Sequence, residues 1–73
     1  MRLDKFLKDN RIIKRRVVAQ EAIKKGYVQK NGNNAKPGTE IKEGDVIQIN
    51  FANRILKVRV ENNKAEFIEE VTK

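Results

Sequence analysis

Arg15 and Arg16 stand side by side in a run, Arg11 to Gly26, that also holds Arg11, Lys14, Lys24 and Lys25. Lys8 and Arg2 precede it. Cations at this density suit one kind of chemistry, the binding of a polyanion through phosphate contacts that weaken as salt rises. The planar guanidinium takes two phosphate oxygens at once, so Arg2, Arg15 and Arg16 are the leading candidates, with Lys8, Arg11 and Lys14 beside them. Asp4 either orients an arginine, Arg2 or Arg16, or pairs with Lys8, and the sequence leaves these open. Gln20 and Lys24 follow Arg16 at i+4 and i+8 on one helical face; they extend the footprint or form a solvated polar face. Lys30 and Asn31 fall at a hairpin tip, where Asn31-Gly32 is chiefly turn chemistry, and Lys36 beside Pro37 is a further candidate for phosphate. Tyr27, the single tyrosine, has the chemistry to stack on a base, but the end of a helix beside a strand favours packing in the core. Phe6, Phe51 and Phe67 read as core and are not spaced as a stacking platform. Recognition through shape and backbone is expected.

The chain around these residues is short. At 73 residues it has room for one domain, residues 1–73, with a small core. Cysteine and histidine are both absent, which removes disulfides, cysteine-rich zinc sites, and the commonest general base and metal ligand. No acid pair supplies a mechanism in their place, so no enzyme, metal or cofactor is expected. No apolar run approaches the roughly 20 residues of a membrane span, and the charged start at Arg2, Asp4 and Lys5 is unlike a signal peptide. A cytoplasmic protein is expected. The net charge of +7 is unevenly distributed. Residues 1–36 carry eleven Lys/Arg and three Asp/Glu, and residues 37–73 carry six and seven. That asymmetry suggests a polyanion on one face.

Positioning such cations takes helices. Leu3, Phe6 and Leu7 recur at i, i+3 and i+4, predicting a short helix within Met1 to Asn10, with Asp4 and Lys8 four apart as a favourable pair and Asp9-Asn10 as the stop. Val18, Ala19, Ala22 and Ile23 form the apolar face of a second helix, from about Lys14 to Lys25, that ends at Gly26. Strands follow. Tyr27 to Gly32 alternates into an Asn-Gly hairpin turn, Pro37-Gly38 marks a turn, and Val46 to Phe51 and Arg54 to Val60 should pair antiparallel. Ala65 to Val71 is a strand or a short helix, with a strand to Ile68 favoured, and Thr72 and Lys73 are expected to fray. The fold class is α+β, two short N-terminal helices packed on a small, mainly antiparallel twisted sheet.

These features occur in a known order. Arg2-Leu3-Asp4, the basic Arg15-Arg16 helix, Gly26-Tyr27-Val28-Gln29-Lys30-Asn31-Gly32, Lys36-Pro37 and Gly44-Asp45-Val46-Ile47 together resemble the RNA-binding domain named after ribosomal small-subunit protein S-four, the alpha-L domain. The match spans about two thirds of the chain. The opening MRLDKFLK and Ile13-Lys14-Arg15-Arg16 are similar to the stand-alone branch that contains RqcP (YabO) and the fifteen-kilodalton heat-shock protein. The absence of the long basic extension of the heat-shock relatives favours an RqcP-like member. Lys14 stands where many members have serine, so the helix start lacks a capping hydroxyl. The resemblance implies binding to large-subunit rRNA and peptidyl-tRNA on the split large ribosomal subunit, in support of C-terminal tailing of stalled nascent chains, with the tailing factor RqcH as a partner. A monomer is expected. Two alternatives stand beside this: a ribosome-assembly or translation factor with no role in stalled chains, and an anionic-surface binding module, which the small apolar residues of the second helix disfavour.

Overall fold

The computed structural model describes residues 1–72, and among them two helices and five strands form. Helix α1 spans Leu3–Asp9 and α2 spans Arg16–Lys24. The strands are β1 (Val28–Lys30), β2 (Asn33–Asn34), β3 (Val46–Asn50), β4 (Arg54–Glu61) and β5 (Lys64–Thr72). They make one antiparallel sheet in the order β2-β1-β3-β4-β5. Lys73 lies outside the described residues.

Alternation along the strands gives the sheet one dry face. Val28, Ile47, Ile49, Leu56, Val58 and Val60 point into the core, where Leu3, Phe6 and Leu7 of α1 and Ala19 and Ile23 of α2 meet them. Ile13 and Ile41 close the core from the loops. Gln29, Gln48, Lys57 and Arg59 lie on the opposite face, which no helix covers among the described residues.

Both helices end alike. In α1 the Arg11 N–H donates to the Lys8 carbonyl at 3.0 Å and the Ile12 N–H to the Leu7 carbonyl at 3.0 Å. In α2 the Gly26 N–H donates to the Ile23 carbonyl at 3.1 Å and the Tyr27 N–H to the Ala22 carbonyl at 3.0 Å. These are Schellman closures, which need a left-handed residue just past the helix. Gly26 supplies it at φ +83°, and in α1 Arg11 supplies it at φ +57°. The N-terminus of α1 is closed by chain 37–39: the Leu3 N–H donates to the Thr39 carbonyl at 2.9 Å and the Asp4 N–H to the Pro37 carbonyl at 3.2 Å. This satisfies donors that a helix start leaves orphaned. At the start of α2, Arg15 makes no side-chain capping bond among the described residues.

Several expectations are corrected. Val18 is exposed rather than packed, so the buried face of α2 is Ala19 and Ile23, with Ala22 half-buried. The α2 helix begins at Arg16, two residues later than its apolar spacing predicts. Asp4 does not pair with Lys8; the i, i+4 pair of α1 is Lys5 with Asp9, at 2.7 Å. Beyond Ile68 the chain remains strand as far as Thr72, which pairs with Arg54 instead of fraying. A bulge disguised this strand, because Val58 opposes Phe67 while Lys57 opposes Glu69, which leaves Ile68 as the extra residue. Phe67 lies on the dry side of β5 but beyond the reach of the helices, and is exposed. Tyr27 is exposed as well.

Candidate nucleic-acid interface

Asp4 organises the helical end of the molecule. Its side chain has 0% exposure, while the Arg2 and Arg16 side chains that reach it are 50% and 43% exposed. Arg2 donates from Nε to Oδ1 and from Nη2 to Oδ2, both at 3.2 Å. Arg16 donates from Nε to Oδ2 at 3.2 Å and from Nη2 to Oδ1 at 3.4 Å. Gln20 Nε2 donates to Oδ2 at 2.9 Å, and the Lys5 backbone N–H to Oδ1 at 2.7 Å. Burial by itself would raise the Asp4 pKa. Hydrogen bonds from Gln20, Arg16 and the Lys5 N–H, with the charge of Arg16, outweigh it and bring the pKa to about 2. The carboxylate is thus an anion throughout the neutral range.

The geometry decides what each residue can do. Of the openings the sequence leaves for Asp4, the structure shows the one in which its unexposed carboxylate holds Arg2 and Arg16. Gln20 joins it in that role through its bond to Oδ2. A guanidinium has five N–H donors. Arg2 and Arg16 each use two on Asp4, which fixes the plane of each fork and leaves the other donors at the surface.

Beside this pair lies an open cleft of about 500 Å³ lined by Lys8, Asp9, Arg11 and Lys14. Asp9 joins the two regions. The Lys5 hydrogen bond chiefly lowers its pKa against a smaller effect of burial, and the charges of Lys5, Lys8 and Arg16 lower it further. Arg11, Lys14 and Arg15 are exposed, with no acidic partner within 4 Å among the described residues. Lys36 is exposed in the loop that continues to Pro37-Gly38, and that turn passes against the Arg2 guanidinium.

The polar groups of the hairpin tip are engaged, and Lys30 reaches Glu40, which bridges to Arg2. Asn31 Nδ2 donates to Asp45 Oδ1 at 3.1 Å, and Asn31 Oδ1 accepts from the Val46 N–H at 2.9 Å. Lys30 Nζ donates to the Glu40 carbonyl at 3.1 Å and lies 3.7 Å from Asp45 Oδ2. Burial would raise the Asp45 pKa, but bonds from the Lys42 N–H and Asn31 and the charge of Lys30 hold it below the usual carboxylate range. Lys30 and Asn31 thus brace the hairpin against the loop before β3. Lys24 lies in the last turn of α2, away from the Asp4 cluster. Lys25, counted in the basic run but not among the contact candidates, is the exposed C-cap of α2. Asn10, expected only as part of the α1 stop, also accepts the Ala65 N–H on Oδ1 at 2.8 Å and ties α1 to β5. No local pattern announces a bond between residues so far apart in sequence.

The S4 domain family model matches residues 1–47, which hold α1, α2 and every cation of the cluster. The chain belongs to the S4 domain family. This S4 domain is 50% identical over 64 residues to the RQC P-site tRNA stabilizing factor of Halalkalibacterium halodurans, covering 88% of the chain and 73% of that relative. It is 51% identical over 61 residues to the factor of the same name from Listeria monocytogenes, covering 84% of the chain and 66% of that relative. Among solved structures, the trimeric Heat Shock Protein 15 of Vibrio cholerae superposes with a TM-score of 0.78 at 28% identity, over 90% of this S4 domain and 69% of that chain.

Proposed function

We propose that this protein is a cytoplasmic RNA-binding factor of ribosome-associated quality control. It binds large-subunit rRNA and peptidyl-tRNA on the split large subunit and supports C-terminal tailing of the stalled nascent chain. The observation that carries the proposal is the pair of guanidinium forks locked on buried Asp4 beside the Lys8–Arg11–Lys14 cleft. A rigid arginine pair with free outward donors suits the backbone of a folded RNA. The name of the relatives at about half identity narrows the RNA to P-site tRNA and the process to quality control. On this reading the contacts come from Arg2, Arg16, Arg15, Lys8, Arg11, Lys14 and Lys36, with Asp4 and Gln20 holding the arginines in place. On this reading the protein acts as a monomer, and its resemblance to RqcP implies RqcH as a partner.

Sucrose-gradient sedimentation of the tagged protein, with and without induced stalling, tests this. Enrichment on free large subunits carrying peptidyl-tRNA is expected, and Arg16→Ala should lower that association about tenfold or more, the scale of a lost charge-assisted contact, while the protein stays folded. Association with precursor particles that ignores stalling would move the function to subunit assembly. Sedimentation of the Arg16→Ala variant like the parent protein would take the arginine pair out of the interface.

A further inference from the structure

At the far end of α2 from Arg16, the start of β1 meets the turn between β3 and β4. Tyr27, Asn50, Phe51 and Ala52 line an open cleft there of about 530 Å³. Its walls are fixed by backbone bonds: the Asn50 N–H donates to the Tyr27 carbonyl at 2.8 Å, and the Phe51 N–H to the Arg54 carbonyl at 2.8 Å. The two rings differ in what they leave available. Phe51 packs against the core and carries the Arg54 guanidinium over its ring, 4.8 Å from the centroid. Tyr27 is 51% exposed. Asn50 Oδ1 accepts from Gln48 Nε2 at 3.0 Å, and its Nδ2 has no protein acceptor among the described residues.

Charge completes the picture. Among the described residues nothing charged lines the cleft itself, but the Arg54 guanidinium lies over the Phe51 ring and Lys24 and Lys25 shortly precede Tyr27 in the chain. Lys24 and Lys25, at the last turn and cap of α2, are exposed and have no acidic partner within 4 Å among the described residues. An accessible ring, a free amide donor and flanking cations are the parts that single-stranded RNA readers combine: a face to stack on, a donor for a base edge, and charge for the neighbouring phosphates. A tyrosine kept half in water adds little to the core, and its ring is open to a ligand.

We propose that the Tyr27–Asn50–Phe51 cleft binds the nucleobase of an unpaired nucleotide, with Tyr27 stacking on the base and Lys24 and Lys25 holding the adjacent phosphates. The site is distinct from the Asp4 cluster, so the protein reads RNA at two points: helical backbone at the N-terminal end of α2 and an unstacked base at its C-terminal end. The proposal rests on RNA being the partner, and is indifferent to which RNA the ribosome presents.

The chain has one tyrosine and no tryptophan, so its intrinsic fluorescence reports on Tyr27 alone. The protein is titrated with single-stranded oligoadenylate and, separately, with an RNA duplex of the same length. Both are expected to bind, with oligoadenylate quenching the tyrosine emission and the duplex leaving it unchanged. Tyr27→Leu keeps an apolar side chain but loses the aromatic face. It should weaken oligoadenylate binding about tenfold and leave duplex binding within about twofold, while Tyr27→Phe retains both. Saturable oligoadenylate binding without quenching, or full oligoadenylate affinity in a folded Tyr27→Leu protein, overturns the proposal and leaves the Asp4 cluster untouched. Failure of both RNAs to bind overturns the RNA-binding function itself, and this site with it.

Discussion

One carboxylate, that of Asp4, holds two arginine side chains in place. Left alone, guanidinia on short helices would sample many orientations, and ordering them on contact would take free energy from binding. The buried carboxylate orders them beforehand, at the desolvation cost that any buried charge carries. Its own satisfaction depends on the six N–H donors that surround it, from Arg2, Lys5, Arg16 and Gln20. Asp4→Asn removes the charge and puts a donor among donors, so stability should fall by about 1–3 kcal/mol, read by urea unfolding, and RNA affinity should fall as the forks loosen. The pH dependence has a definite sign. The folded pKa, about 2, lies below the ordinary 3.8, so the unfolded chain takes up the proton first as pH falls. The stabilisation is complete above about pH 4 and is lost on descending toward pH 2. The Asn variant should lack this part of the acid transition. An unchanged acid transition in that variant would assign the sensitivity to other carboxylates.

The helix ends show where sequence reasoning succeeds and where it fails. Gly26 announced the end of α2, because glycine is the residue that accepts the left-handed conformation freely. The end of α1 has the same geometry, but the left-handed residue is Arg11, and nothing in an arginine's type announces that; only the poor helix formers Asp9 and Asn10 marked the stop. Strand β5 was half legible for a comparable reason. Its alternation breaks at the Ile68 bulge, and its acids fit a strand only because Glu66 and Glu69 lie opposite Arg59 and Lys57. Holding an L-residue left-handed costs about 1–2 kcal/mol, and such strain tends to sit at functional positions. Here the conformation places Arg11 at the cleft with Lys8 and Lys14. Arg11→Gly should therefore raise stability by about 1 kcal/mol and lower RNA affinity, with the slope of log affinity against log salt shallower by about one. A variant that gains stability at full affinity would show that Arg11 serves the helix end alone.

Across the whole molecule, charge is sorted by pairing as well as by position. The sequence reveals the basic half and the near-neutral half, but not that Arg54, Lys57 and Arg59 of the second half are paired. On the uncovered sheet face Lys57 lies 3.7 Å from Glu69 and Arg59 lies 3.9 Å from Glu66, with Arg54 3.6 Å from Glu70 at the end of the hairpin. Each pair is exposed and stabilises little, but each cancels a charge that would otherwise draw a polyanion to the sheet. Those pairs depend on the register of β4 with β5, a long-range fact that no local pattern carries. At the helical end Arg11, Lys14 and Arg15 have no such partners within 4 Å among the described residues. The paired cations of the uncovered sheet face should therefore contribute little to RNA binding. Lys57→Gln with Arg59→Gln, which removes two charges from the sheet, should leave affinity within about twofold and the salt slope unchanged. Lys8→Gln with Lys14→Gln removes the same formal charge from the cleft and should make the slope shallower by about two, with a clear loss of affinity at low salt. The two double variants share a net charge, so a general attraction between a basic protein and RNA predicts equal losses, and a directed interface predicts this difference.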